Sequence, residues 1–172
     1  VVKAVKENGV IFQVGSQQRS RDDFRRAAQL VRNGVIGKVK RVEVGLPTGH
    51  RSYNKDTSPK TPPAYVDYDF WCGPSRYLPF HPDRLHWNWR WCLDYGGGQL
   101  MDWIGHHNDI AHWGIDMDRS GPVEVKAVGF EYMPDRTVWN SAWKYDVQCK
   151  YEGGITTSIS NGNKQGCKWI GE

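Results

Sequence analysis

Nothing in the 172 residues approaches the roughly 18 consecutive apolar positions that a membrane-spanning helix requires. The opening stretch, VVKAVKENGVIFQVGS, has no basic start, long apolar run and cleavage site of a signal peptide. It reads instead as the end of a helix, a stop at Gly9 and a buried strand around Val10 to Val14. The four cysteines, Cys72, Cys92, Cys149 and Cys167, form no C-x-x-C pair, which speaks against a zinc ribbon or a redox dithiol and predicts free, mostly buried thiols. They leave the compartment, cytoplasm or bacterial periplasm, undecided. There is no block of like charge either: a net charge of +4 is spread along the chain, so neither nucleic acid nor a membrane surface is indicated as a partner. An initiating Met is missing and Gly166 to Glu172 reads as a strand being entered, so a fragment, cut at both ends, is expected.

Tryptophan is abundant. Nine of them, within an aromatic share of 13%, call for an aromatic core or a surface built for stacking. Most lie in one region. From Pro47 to Tyr95 neither helix nor strand periodicity persists, seven of the nine prolines occur, and the second half is dense in Tyr, Phe and Trp. A loop of this length inside a compact domain is commonly functional, and folding back as a satellite core is the reading for most of its rings.

On either side the pattern is regular. Ser20 and Asp23 have capping-box spacing, and Phe24, Ala27, Ala28 and Val31 recur at helical intervals, predicting a helix over 21–33. Val39, Val42 and Val44 mark a strand ended by Pro47. A triple glycine, Gly96-Gly97-Gly98, opens a helix from Gln99 to Trp113 that Gly114 stops. Three alternating runs follow, with Gly153-Gly154 as a hairpin signal between two of them. The predicted class is α+β, a largely antiparallel or mixed open sheet with helices on one face.

Within the central helix Asp102, His106 and Asp109 stand at i, i+4 and i+7 and share one face. A carboxylate one turn before an imidazole can fix its tautomer and favour its protonation, which suits a general base working near neutrality. An ordinary ion pair on a solvated face fits the same spacing. So do two ligands of a metal site, although no H-E-x-x-H or similar set supplies a third.

GGGQLMDWIGHHNDIAHW resembles the G-G-G-x-x-x-D-x-x-x-H-x-x-D signature of the Gfo/Idh/MocA (glucose-fructose oxidoreductase, inositol dehydrogenase, MocA-like) family. The preceding DYDFWCGPSRYLPFHPDRLHWNWRWCLDY resembles a bacterial subgroup with an enlarged C-terminal domain, marked by W-x-G-P and H-W-x-x-R-W segments. The resemblance implies hydride transfer between NAD or NADP and a sugar or polyol, with His106 taking the hydroxyl proton and Asp102 orienting it and binding a neighbouring hydroxyl. Asp109 would support the substrate site. VGSQQRS resembles the last strand of the family's Rossmann domain, which would put Gln18 and Arg19 near substrate, and Gln18 near the nicotinamide. Of Trp71, Trp87, Trp89 and Trp91, with Trp87 and Trp91 foremost, at least one is expected to stack on the substrate. Residues 1–20 would then end a dinucleotide-binding domain and 21–172 form a substrate-binding and oligomerisation domain, assembling as a homodimer or homotetramer through the sheet.

The sequence departs from the family in having no G-x-G-x-x-G after a strand and no E-K-P motif, so the groups that cradle a dinucleotide are expected upstream and this chain alone should be inactive. Some relatives are glycosidases that use the nicotinamide transiently. A non-catalytic carbohydrate-binding module also favours exposed aromatic rings, and Arg84, Trp87, Trp89, Arg90 and Trp91 interleave cations with rings as nucleic-acid binders do, but neither needs Asp102 and His106 one turn apart.

Overall fold

The computed structural model describes residues 1–50 and 56–172. Its centre is a five-stranded sheet of β1 (Arg41–Gly45), β2 (Glu124–Glu131), β3 (Lys144–Lys150), β4 (Thr156–Ser160) and β5 (Gly166–Ile170), in spatial order β2-β3-β4-β1-β5. Neighbours run antiparallel except β1 and β4, which are parallel, so the sheet is mixed. Directly paired residues share a face. The row Lys126, Gln148, Ser158, Glu43, Lys168 therefore crosses the outer side, while Val42 and Val44 of β1 point inward. The β3–β4 hairpin turns through Gly153 and Gly154, both with φ near +85° (82° and 89°), where a side chain would be strained.

A long helix, α4 (Gly98–Gly114), covers the inner face of the sheet and packs Ala111, with partly buried Leu100, Trp103 and Ile104, into one cluster with Val42, Val44, Leu46, Tyr145 and Ile159. Burying aliphatic side chains of this size contributes about 1.5–3 kcal/mol each, which makes the helix–sheet interface the main source of stability. Beside α4 lies α2 (Asp22–Arg32), with Ala28 and Val31 inward, two aspartates in its first turn and Arg32 in its last, as the helix dipole favours. The capping box read from Ser20 does not form. Ser20 ends a 3-10 turn, Arg21 takes the cap position in extended conformation, and Arg21 holds the Asp23 carboxylate at 2.7 Å.

The strand expected at Val10 to Val14 is not a strand. After the short α1 (Val2–Asn8) these residues have no regular structure and leave Val10, Ile11, Phe12 and Val14 in solvent, because no described strand lies beside them to complete a ladder. The proline-rich stretch does fold back. Asp67 caps the five-residue α3 (Tyr68–Cys72) by accepting from the Phe70 amide at 3.0 Å, and Tyr68, Cys72, Phe80 and Leu85 bury together with Trp71 and Tyr95 against them. Buried Arg84 ties the same stretch to the β2–β3 loop by donating to the Thr137 carbonyl at 2.6 Å. Among the described residues no helix is long and apolar enough to cross a membrane.

Candidate functional site

The triple glycine makes room for a cleft at the start of α4. A Cβ on Gly96 would lie 2.9 Å from both the Arg90 backbone and the Trp89 ring, and Gly98 combines a φ of +70° with a position 2.6 Å from the Ser141 Cβ. Only glycine lets the 3-10 turn His86–Trp91 and the β2–β3 loop close on the helix terminus. The resulting cleft, about 280 Å³, is lined by Trp89, Arg90, Gly97, Gly98, Met101 and Asp102.

Asp102, His106 and Asp109 project from α4 as their spacing predicts, but each meets a different partner. Asp102 faces Arg90, Oδ2 to Nε at 3.6 Å. That guanidinium is only 12% exposed, lies 3.6 Å from the centre of the Trp87 ring and 4.9 Å from that of Trp91, and its buried Nε has no hydrogen-bond acceptor. A half-hidden cation between two π faces needs a nearby anion, and Asp102 is that anion. His106 packs edge-on against Trp103, and its Nδ1 lies 3.4 Å from the Gln17 amide. Asp102 and His106 share no hydrogen bond or ion pair, so the expected carboxylate–imidazole contact is not made.

Asp109 is held by Arg19. The guanidinium donates from Nε at 2.7 Å and from Nη2 at 2.8 Å, and Nη2 also reaches Asp118 at 2.7 Å. These carboxylates push the already high pKa of Arg19 further up. Arg32 of α2 joins from the other side, pairing with Asp116 at 2.6 Å and Asp118 at 3.5 Å. The network clamps the 3-10 turn Gln17–Ser20 and the end of α2 to the C-terminal half of α4. Arg19 and Asp109, both read from sequence as substrate contacts, are thus occupied with each other. Gln18 meets buried His107, Oε1 to Nδ1 at 3.3 Å, and burial together with neighbouring His106 holds the His107 pKa below the ordinary imidazole value.

Of the tryptophans, Trp91 is 2% exposed and packs on Val138 and Trp139, so it belongs to the core and not to a substrate surface. Trp87 is 65% exposed and flanks the cleft through Arg90, whereas Trp89 lines the cleft itself. Trp89 was among the four tryptophans expected at the site, whereas Arg90 and Gln17 are site residues that sequence reasoning did not assign. The H-W-x-x-R-W segment was the available signal for Arg90. No group of three or more His, Cys, Asp or Glu side chains converges among the described residues, so Asp102 and His106 have no third metal ligand there.

The family described as "Oxidoreductase family, C-terminal alpha/beta domain" matches residues 21–169. Among solved structures, the chain is similar to aldose-aldose oxidoreductase from Caulobacter crescentus, complexed with glycerol, at 18% identity and a TM-score of 0.62, covering 99% of this chain and 41% of that one. It is similar to the WlbA dehydrogenase from Bordetella pertussis, in complex with NADH and UDP-GlcNAcA, at 20% identity and a TM-score of 0.61, covering 99% and 44%. A super-repressor mutant of Gal80p from Saccharomyces cerevisiae matches at 17% identity and a TM-score of 0.58, covering 99% and 41%. At these identities the likeness establishes the fold, and the chain spans less than half the length of each of these structures. Among curated protein sequences none matches.

Proposed function

The chain belongs to the Gfo/Idh/MocA oxidoreductase family, and from that premise we propose that it is the substrate-binding part of an enzyme moving hydride between NAD or NADP and a hydroxyl-bearing carbon of a sugar or polyol. The observation that carries this reading is the juxtaposition of His106, on an accessible face of α4, with a cleft bordered one turn away by Asp102, Trp89 and Arg90. A polyhydroxylated ligand has both polar edges and C–H faces, and the cleft offers a carboxylate for the first and an indole for the second.

The dinucleotide does not fit this chain by itself. The sequence holds no glycine-rich turn between a strand and a helix, and the irregular residues before Gln17 present apolar side chains to solvent instead of a phosphate cradle. We therefore assign the adenosine and pyrophosphate sites to sequence outside this chain, residues 1–20 to the end of the domain carrying them, and 21–172 to substrate binding. When bound, the nicotinamide supplies the hydride acceptor. This chain's residues orient the ligand and handle its proton: the hydroxyl hydrogen passes to His106 as the carbinol carbon becomes a carbonyl, Asp102 accepts a hydrogen bond from an adjacent hydroxyl, and Arg90 balances its charge.

We also propose the sheet as the surface of self-association into dimers or tetramers. The edge strand β2 exposes Val125 and Val128 and leaves one side of its backbone unpaired, a surface that a second copy would cover.

The test is turnover. The chain, expressed together with its upstream coding sequence, is expected to form reduced nicotinamide with a subset of sugars and polyols. Formation of none across a broad panel, accompanied by cleavage of glycosides, would move the assignment to the glycosidase branch.

A further inference from the structure

We infer that the tautomer and orientation of His106 are set by Gln17 and not by Asp102, and that Arg19 is the positioning residue that holds Gln17 in place. The inference rests on the reading of His106 as the proton-handling group, and it changes which residue prepares His106 for that task.

Three observations carry it. Among the described residues Gln17 is the only hydrogen-bonding partner of His106, with its amide 3.4 Å from Nδ1. Asp102, the residue whose spacing suggests a dyad, is turned to Arg90, a cation with its own need for a counter-charge. Gln17 also begins a four-residue 3-10 turn that has no buried residue of its own. What docks that turn on α4 is the fork of Arg19 onto Asp109 and Asp118, two residues further along, with Gln18 on His107 between them. Three successive side chains thus read three positions of α4: Gln17 on His106, Gln18 on His107, Arg19 on Asp109.

An amide partner has a different consequence from a carboxylate. A carboxylate can only accept, so it would pin a hydrogen on Nδ1 and favour the imidazolium. Here the nearer end of the Gln17 amide is its nitrogen, which donates to Nδ1 and leaves the neutral ring with its hydrogen on Nε2. In that state His106 offers a hydrogen bond to a carbonyl oxygen. For His106 to accept the proton of a hydroxyl at Nε2, Nδ1 must carry a hydrogen, and a half-turn of the amide presents the oxygen that receives it. The imidazolium so formed keeps its Nδ1 hydrogen on the Gln17 oxygen and returns the Nε2 proton in the reverse reaction, so that one orientation of the amide serves both directions. The charged and titratable groups around His106 are Asp102 one turn before it, Asp109 on the same face after it, Arg19 on the docked turn and His107 beside it, whose burial disfavours its charge.

The experiment is long-range ¹H–¹⁵N correlation of the histidine rings in the 172-residue chain, with the His112 resonances and backbone dispersion as the control for folding, since His112 bonds to Tyr151 in the core. In the unsubstituted chain neutral His106 is expected with its hydrogen on Nε2. Gln17→Glu should switch that hydrogen to Nδ1, and Gln17→Leu should shift the Nδ1 resonance to that of an unpartnered ring. Asp102→Asn should leave both nitrogens unchanged. Arg19→Met introduced into Gln17→Glu should abolish the switch, and Asp109→Asn, which keeps the side-chain shape, should weaken it in the same direction. His106 resonances that ignore both Gln17 variants, or that move in Asp102→Asn as they do in Gln17→Leu, would overturn the inference. So would a switch that survives the loss of Arg19. No cofactor or substrate enters the measurement, so its failure leaves the oxidoreductase reading to be judged by turnover alone.

Discussion

Arg19 and Asp109, ninety positions apart in the chain, meet fork to fork, with Nε and Nη2 of the guanidinium at 2.7 and 2.8 Å from the two carboxylate oxygens. Bidentate pairing of this kind is directional as well as attractive. It joins a turn with almost no core of its own to the helix that carries the candidate chemistry.

That pair should be measurable by a double-mutant cycle. Both side chains are about 30% exposed (30% and 29%), which places the coupling of Arg19→Met with Asp109→Asn near 1 kcal/mol, at the upper end for accessible ion pairs. Urea unfolding of the two single variants and the double variant gives the value. Strict additivity would mean that the fork contributes nothing beyond its geometry.

For the enzyme assembled with its cofactor domain, His106→Ala should lower kcat by roughly 10²- to 10⁴-fold, as loss of a positioned proton-transfer group does, with dinucleotide affinity nearly unchanged. Steady-state kinetics together with cofactor titration separates the two effects. Full activity at every pH would leave α4 with a packing role only.

Calorimetric titration of the 172-residue chain with NAD or NADP should show no saturation, because the sequence contains no strand, G-x-G-x-x-G turn and helix in succession, the unit that cradles a dinucleotide pyrophosphate. Micromolar binding would require a cofactor site of a different kind.

Acid should destabilise the fold through His107 and His112, whose folded pKa values lie below the ordinary 6.5 because burial disfavours the imidazolium. With the folded value depressed, the unfolded chain binds protons first. Stability is therefore full above about pH 6.5, is lost as pH falls below it, and stops changing once the folded values are passed. Melting temperature against pH should fall over that window, and His107→Gln should flatten the slope. An identical slope in the variant would assign the loss to carboxylates instead.

Gly98→Ala should cost about 1–3 kcal/mol, since it combines a left-handed backbone with a Cβ 2.6 Å from Ser141. Denaturant midpoints of Gly98→Ala and of Gly105→Ala, where a Cβ meets nothing within 4 Å, would separate this local conflict from a general effect of glycine replacement in α4.

The parts legible in the sequence were those governed by local periodicity. The span of α4 follows from apolar spacing between Gly98 and Gly114, and the β3–β4 hairpin from Gly153-Gly154. What was not legible depends on contacts between distant positions. Asp102 and His106 have the spacing of a dyad, but Arg90 draws the carboxylate away, and no local pattern records that an arginine between two tryptophans will lack another anion. Trp89 and Trp91 look alike in sequence, and the 3-10 turn that contains them sends one ring to the cleft and the other into the core. Val10 to Val14 has the composition of a strand but no neighbour to pair with among the described residues.

The parallel pairing of β1 with β4 also dictates an order of assembly. The β2–β3–β4 meander forms from segments adjacent in sequence, whereas Arg41 must find Thr156 across most of the chain before β1 can enter between β4 and β5. Loop closure of that length costs entropy before any contact offsets it, so a fold of this contact order gains its amino-terminal third late. During biosynthesis β1 leaves the ribosome well before its partners exist. Until α4 is made Val42 and Val44 remain uncovered, and until β4 and β5 follow both edges of β1 stay unpaired, so this interval is when the nascent chain is most exposed to aggregation and to capture by chaperones.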